Sequence, residues 1–298
     1  MEMTAMRIAL GPLLFHWAPD RIEAFYAEVA DEPSIDRVYL GEVVCGKRSP
    51  LTQHALAAAA ETLGAAGKDI VWSGLALPAT VRDRKGLAAL ATLPDLIEVN
   101  DLSGLLDRRD PFVAGPLLNI YNEGALAELA RRGCVRLCPN VELSLEAISH
   151  LSAAQPQVEI ELFAFGRLPL ALSGRCYHAR SHGLHKDACQ FVCDRDPDGM
   201  DLRTLEGQPF LAVNGVQTLS WAMHCVDAPL AALRAAGVGA LRLSPHSGDM
   251  PAVARAFRAY ADGQCDPDGL LERLQRLNPS VAFVSGYLHG LAGVAATR

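Results

Sequence analysis

The chain has 298 residues, half of them hydrophobic, so one large domain can bury a substantial core without disulfide staples. Its 27 basic residues are outnumbered by 34 acidic ones, which speaks against a nucleic-acid or anionic-membrane surface, since both reward clustered positive charge. No nucleic-acid partner is expected.

The opening stretch, MEMTAMRIALGPLLFHW, has no basic segment before its apolar run and carries Glu2. It reads as a first strand and not a signal peptide, which places the protein in the cytoplasm. Eight β-rich runs are spaced along the chain: RIALGPLLF (7–15), RVYLG (37–41), DIVWSGL (69–75), LIEVN (96–100), FVAGPLLNI (112–120), VRLCPN (135–140), VEIELFAFG (158–166) and ALRLS (240–244). Stretches of helical period lie between them, among them TQHALAAAAETLGAAG, KGLAALATL, EGALAELARRG, LEAISHLSAA and PLAALRAAG, several closing on a Gly as helix C-termini do. Alternation of this kind is the pattern of βα units around a parallel sheet, and eight of them predict an α/β fold of the (β/α)8 TIM-barrel type in a single domain over residues 1–298.

The connection between the seventh and eighth runs is far longer than such loops need, so residues 173–238 are expected to form an excursion with its own purpose. Within it, FLAVNGVQTLS places Asn214-Gly215 between two β-like runs, the signature of a tight hairpin. The longest uncharged run, Leu277 to Thr297, is interrupted by Asn, Pro, Ser, Gly, Tyr and His289. It is expected to be a buried C-terminal helix and not a membrane span.

Three of the eight cysteines fall in SGRCYHARSHGLHKDACQFVCD, residues 173–194. In a cytosolic chain, clustering of this kind favours a metal or redox centre over disulfides. Cys189 and Cys193, if helical, share one face at i and i+4, and Cys176 supplies a third thiol. Cys45 is the candidate fourth. It follows the second strand in VYLGEVVCGKR, and in a (β/α)8 barrel every loop after a strand opens on the same face. Cys134 and Cys138 flank a strand whose rise sets them roughly 13 Å apart, so they are read as packing residues, as are Cys225 and Cys265.

Four thiolates suit either structural zinc or an iron–sulfur cluster. Zinc sites usually show two short cysteine knuckles. Here there is at most one, which tilts the reading toward a [4Fe-4S] cluster, with His178, His182 and His185 as alternative zinc donors. The spacing of radical S-adenosylmethionine enzymes fails because Asp196 stands where their third Cys would be.

VYLGEVVCGKR, ELFAFGRLPLALSGRCY and HGLHKDACQFVC closely resemble the UbiV branch of the collagenase-like (UbiU/UbiV) peptidase family, and the similarity runs over essentially the whole chain. Glu161, Phe163, Gly166, Ser173, Gly174, Arg175 and Cys176 match the wider family's signature. Where UbiU-like proteins and the peptidases carry an earlier Cys, this chain has Pro169, and Cys45 appears instead, as in the UbiV type. The resemblance implies a [4Fe-4S] cluster on Cys45, Cys176, Cys189 and Cys193, and a heterodimer with a UbiU-like protein acting in oxygen-independent ring hydroxylation during ubiquinone biosynthesis. It also implies prephenate as oxygen donor and a sterol-carrier-type lipid-binding protein as bearer of the ubiquinone precursor.

Arg175, Lys47 and Arg48 beside the thiols are candidates to bond an anionic cluster or an acidic substrate, and solvated loop charge is the plainer reading. Glu161 is the candidate catalytic carboxylate through its match to the signature. Glu159 shares its strand face, and Glu142 lies beside a strand. DRDPDGMDLRTLE approaches a calcium loop through Asp194, Asp196, Asp198 and Gly199, but Leu205 replaces the closing Glu. Ser244-Pro245-His246 stands where many relatives have Glu-Gly-Arg. Neither an ordered Ser/His/Asp set nor a His-Glu-x-x-His motif supports peptidase chemistry. Two further readings stay open: a non-catalytic electron-relay or scaffold subunit, and a peptidase-family protein with a structural zinc site.

Overall fold

The computed structural model describes residues 5–296. Glu2 and Thr297, which figure in the readings of the two ends, lie outside the described residues. In chain order the elements are β1 (Arg7–Leu10), α1 (Pro19–Asp31), β2 (Arg37–Leu40), α2 (Ser49–Ala65), β3 (Asp69–Ser73), α3 (Val81–Ala91), β4 (Ile97–Val99), β5 (Phe112–Ala114), α4 (Glu123–Arg131), β6 (Cys134–Leu137), α5 (Leu145–Ala154) and β7 (Glu159–Leu172). There follow α6 (Tyr177–Ser181), β8 (Met200–Arg203), β9 (Pro209–Asn214), β10 (Gln217–Cys225), α7 (Leu230–Ala235), β11 (Val238–Leu243), α8 (Met250–Ala261), α9 (Pro267–Leu277) and β12 (Phe283–Val284).

Strands β1 to β7 pair in sequence order, all parallel, and β11 pairs in parallel with both β7 and β1. The sheet is therefore closed, an eight-stranded parallel barrel of the predicted (β/α)8 TIM type. Helices link the strands except between β4 and β5, where a 3-10 turn over Leu102–Leu105 takes the helix's place. Several helices start on side-chain caps that satisfy amides left without intrahelical partners. Thr80 and Asp83 form a capping box on α3, and Asn122, Ser144, Asp249 and Asp266 cap α4, α5, α8 and α9.

Alternation along each strand divides the core. Ile8, Leu10, Val38, Leu40, Ile97, Val99, Leu241 and Leu243 join the main apolar cluster with α1, α8 and other helices. The opposite positions, Ala9, Tyr39, Val71 and Val113, form a separate packed layer. Charged groups share that interior. Glu161 accepts from Arg242 Nε at 2.6 Å, Arg37 Nη1 at 2.8 Å and Tyr39 Oη at 3.0 Å, while Arg242 Nη1 bonds Glu98. Arg136 reaches Glu159 at 2.6 Å, and the Arg242 guanidinium lies 4.0 Å above the Tyr39 ring.

Strand β7 serves two sheets. Up to Phe165 it belongs to the barrel, and at Gly166 the backbone takes a φ of +119°, where a Cβ would stand 2.6 Å from the Ser244 Cβ. From Phe165 onward it also pairs antiparallel with β10, which continues through β9 to β8. The hairpin is present one residue later than expected. Asn214 and Gln217 are the paired strand ends, and the turn is Gly215-Val216, with Gly215 at φ +65°. A positive φ at the first central residue alone is the type II′ pattern, which Gly favours there.

Among the described residues the expected C-terminal helix is absent. Residue 277 ends α9, Asn278-Pro279 prevents its continuation, and the following run supplies β12, paired in parallel with β10, and a 3-10 turn over Gly286–His289. Among the described residues no helix is long and apolar enough to cross a membrane.

Candidate functional site

The loop after β2 and the excursion after β7 leave the same end of the barrel, and they meet. Cys45, Cys176, Cys189 and Cys193 all line one cavity, together with Lys47, Arg48, His178, Lys186, Phe191 and Gly215. All four are free thiols. The cavity is narrow, with about 20 Å³ for a water-sized body within about 350 Å³ of empty space that includes its opening. Among the described residues no three His, Cys, Asp or Glu side chains are gathered as they would be around a single ion, so the thiols line the cavity without closing on one point.

Local geometry brings each sulfur there. In the loop after β2, Glu42 Oε1 accepts from the amides of Val44 at 2.8 Å and Cys45 at 2.9 Å, folding the chain back on itself, and the Cys45 carbonyl accepts from the Arg48 amide. Val43 and Val44 pack with Leu14, Ala76 and Val216 into a small apolar cluster, against which Cys45, Leu117, Leu172 and Cys176 also rest. Cys176 caps α6, its Sγ accepting from Ala179 N at 3.4 Å and donating to the Gly215 carbonyl at 3.3 Å.

Cys189 and Cys193 do not sit on one helix. Two 3-10 turns, Lys186–Ala188 and Val192–Arg195, flank a pair of residues in the left-handed region, Gln190 at φ 50° and Phe191 at φ 53°. For residues other than Gly that backbone costs roughly 1–2 kcal/mol each. The reversal lets both thiols face the cavity, and Phe191 is held in turn against the His16 ring, with centroids 5.7 Å apart.

Among the described residues that line the cavity, Arg48 is the one fully enclosed cation, 1% exposed. Its Nη2 donates to Asn214 Oδ1 at 2.5 Å and its Nη1 to the Leu14 carbonyl at 3.4 Å. Burial pushes the Cys45 and Cys193 thiols above their ordinary range, and the Arg48 charge acts against that on both. Lys47 instead donates to the Lys186 carbonyl at 2.5 Å, and Arg175 is exposed.

Of the three histidines weighed as donors, only His178 lines the cavity. Its Nε2 stands 3.0 Å from Asp196, its Nδ1 is 3.3 Å from the Val213 carbonyl, and its ring stacks on His182. His182 and His185 are exposed. The calcium-like aspartates diverge: Asp196 faces His178, whereas Asp198 accepts from the amide and hydroxyl of Ser247.

Glu161 lies in the barrel interior, away from the thiols. Burial alone would raise its pKa, but Arg242, Arg37 and Arg136 together outweigh burial and hold it below the ordinary carboxylate value. A carboxylate held this way stays ionised and ties strands together. Proton transfer near neutral pH is not what this geometry offers. Glu142 accepts from the Tyr121 hydroxyl at the surface. Cys138 is buried near Arg242, and Cys134 and Cys225 are buried in the core.

The charged interior was legible in part. Five of the eight strand runs carry a buried Arg or Glu among apolar residues (Arg37, Glu98, Arg136, Glu161, Arg242), a pattern that marks a polar barrel interior once those positions are aligned. Nothing local in the sequence marks Arg48 as buried or Asn214 as its partner.

At the mouth of the barrel, where folds of this class build substrate sites, the space is nearly filled. Pro12, Leu14, Val43, Leu117 and Pro169 line the mouth with Glu98, Asn100 and Arg242, and it is as narrow as the thiol cavity, with about 20 Å³ for a water-sized body within about 340 Å³ of empty space that includes its opening.

The model of peptidase family U32 matches residues 19–265. Solved structures with similar chains include a protein described as a fructose-1,6-biphosphate aldolase from Coccidioides immitis, at 13% identity and TM-score 0.39, covering 93% of this chain and 91% of that one. The tryptophan synthase complex from Pyrococcus furiosus matches at 14% identity and TM-score 0.38, covering 97% and 100%. Phospho-2-dehydro-3-deoxyheptonate aldolase from Thermotoga maritima matches at 12% identity and TM-score 0.34, covering 93% and 71%.

Proposed function

The chain belongs to peptidase family U32, and we propose that within it this is an iron–sulfur protein of the UbiV type. In this reading Cys45, Cys176, Cys189 and Cys193 hold a [4Fe-4S] cluster, and the chain works in the cytoplasm with a UbiU-like partner in oxygen-independent ring hydroxylation during ubiquinone biosynthesis. Prephenate is then the oxygen donor, and a sterol-carrier-type lipid-binding protein presents the ubiquinone precursor. The observation that carries the reading is the convergence of four free thiols, one early in the chain and three late, on a single cavity.

The donor set fits the group. Four soft sulfur ligands suit an iron–sulfur cluster, and a buried guanidinium stands beside them to offset the negative charge they would carry. When bound, such a cluster supplies one-electron redox chemistry. The chain's own residues supply the rest. Phe191, Val192 and Ala179 line the cavity with apolar surface and limit water, while Glu42 and the Gly215 turn fix the loops that carry the thiols.

Peptidase chemistry has little support in this geometry. Burial raises the Cys45 and Cys193 thiols, where a cysteine nucleophile needs a lowered pKa and an adjacent base.

One observation favours a second reading, in which this subunit relays electrons to a catalytic partner. Pro12, Leu14, Val43, Leu117 and Pro169 line the barrel mouth, so a ring-bearing substrate reaches Glu98, Asn100 and Arg242 only after those residues move. Anaerobic reconstitution of each subunit alone and of both together, assayed for hydroxylated quinone precursor, tests the proposal. Product is expected only with both subunits and with this chain's cluster in place. Full activity after the cluster is removed from this chain contradicts both the hydroxylase and the relay readings.

A further inference from the structure

We infer that Arg48 is a positioning residue for the four-thiol site: a buried cation, locked by the Asn214-Gly215 turn, that joins the early and late thiol-bearing segments and sets the electrostatic potential felt by whatever they hold. The inference rests on the cluster reading above and deepens it.

A buried guanidinium costs several kcal/mol of lost hydration unless a counter-charge is close and well bonded. Arg48 has one counter-charge close by, and it is not well bonded. The nearest carboxylate, Glu42, is 3.8 Å from Nη1, too long for a charge-assisted hydrogen bond, and its Oε1 already accepts two backbone amides. The hydrogen bonds that its guanidinium makes to oxygen go to neutral acceptors, Asn214 Oδ1 and the Leu14 carbonyl, and it also bonds the Cys193 side chain. Glu42 offsets that charge only in part, and the rest falls on the cavity Arg48 lines, where Cys193 and Cys45 are its sulfur neighbours.

The surroundings hold it in that place. The Asn214 side-chain amide donates onward to the carbonyls of Cys193 at 3.2 Å and Asp196 at 3.1 Å, so the residue that grips Arg48 also grips the last thiol's backbone. Gly215 accepts from Cys176 Sγ through its carbonyl, and a Cβ there would stand 2.5 Å from Arg48 Nη2. Gln217 Nε2 shares the Leu14 carbonyl with Arg48 at 2.7 Å. One guanidinium thus bridges the loop bearing Cys45 and the hairpin that supports Cys176 and Cys193.

The test is the midpoint potential of the anaerobically purified, cluster-loaded protein, with iron content and the thermal midpoint of the cluster-free chain measured alongside. Reduction adds negative charge, which a nearby cation stabilises. Arg48→Gln should therefore shift the couple negative by at least a tenfold change in its equilibrium, about 59 mV for one electron. Arg48→Lys, which keeps the charge, should recover more than half of that shift. Gly215→Ala, which crowds Nη2 without changing charge, should give a smaller shift of the same sign.

Loss of iron from Arg48→Gln with retention in Arg48→Lys also supports the inference, provided both cluster-free chains melt like the wild type. An unchanged potential in Arg48→Gln at full iron content overturns it. So does iron loss in both variants accompanied by equal destabilisation of the cluster-free chain, which is the mark of a purely structural residue. A wild-type chain that takes up no iron sinks the cluster reading itself, before any variant is compared.

Discussion

Replacing Glu161 by Gln removes the carboxylate at the centre of the barrel's charged interior while keeping its shape. Glu161 is fully buried and accepts from Arg242 Nε, Arg37 Nη1 and Tyr39 Oη, with Arg136 Nε 3.8 Å away. The amide retains one acceptor oxygen but presents an NH2 group to a guanidinium and leaves a positive charge uncompensated. Breaking a buried pair from one side costs about 3–5 kcal/mol. With roughly 2.1 cal/mol/K of unfolding entropy per residue, a chain of this length loses about 1.6 °C per kcal/mol, so the thermal midpoint should fall by about 5–8 °C. Scanning calorimetry on the anaerobic protein measures this. A double-mutant cycle with Arg37→Gln should show a coupling of about 1–3 kcal/mol. Iron content should stay at the wild-type level, because Glu161 does not line the thiol cavity. A midpoint within about one degree of wild type, or strictly additive single effects, would refute the structural role assigned to this carboxylate.

Stability should also fall in mild acid through His224, whose pKa burial lowers to about 4, with Asp227 offsetting only part of the effect. Its unfolded value is about 6.5, so the unfolded chain takes up the proton first, and stability present above pH 6.5 is lost toward pH 4, by about 2 kcal/mol at pH 5. Urea midpoints at pH 7 and pH 5 should differ accordingly, and His224→Asn should flatten that difference; an equal slope in the variant contradicts the assignment. Gly41→Ala places a Cβ 2.2 Å from the Ser73 carbonyl at a backbone φ of +141°, at the root of the loop carrying Cys45. It should lower stability by more than about 2 kcal/mol in urea unfolding, and a change below about 0.5 kcal/mol would show that the strands move apart freely there.

The barrel was legible because its strands are short apolar runs bounded by helical periods, and that pattern is local. What depended on distant pairing was not. The seventh strand looked finished at Gly166, yet it continues to Leu172, because β10 returns from more than forty residues away to pair with it. The run after Leu277 has a helical length and an apolar composition, but β10 offers it an edge, and two residues pair there instead. FVAGPLLNI was expected as one strand. It keeps only Phe112–Ala114, since Pro116 has no amide to donate and opens a 3-10 turn. Around the thiols, the expected helical pairing of Cys189 with Cys193 gave way to 3-10 turns about Gln190 and Phe191, a conformation that no residue type there announces. The meeting of Cys45 with the other three followed from barrel topology, because a loop after one strand and an excursion after another open at the same end. The burial of Arg48 between them did not, since it depends on Asn214 and Leu14, each far away in the chain.

The most direct measurement is iron and acid-labile sulfide on anaerobically purified chains: the wild type, the alanine variants of Cys45, Cys176, Cys189 and Cys193, and the alanine variants of Cys134, Cys225 and Cys265. The account predicts about four of each atom per wild-type chain, near-complete loss in every member of the first set, and wild-type content in every member of the second. Equal losses in both sets, or full iron in Cys45→Ala, would contradict it.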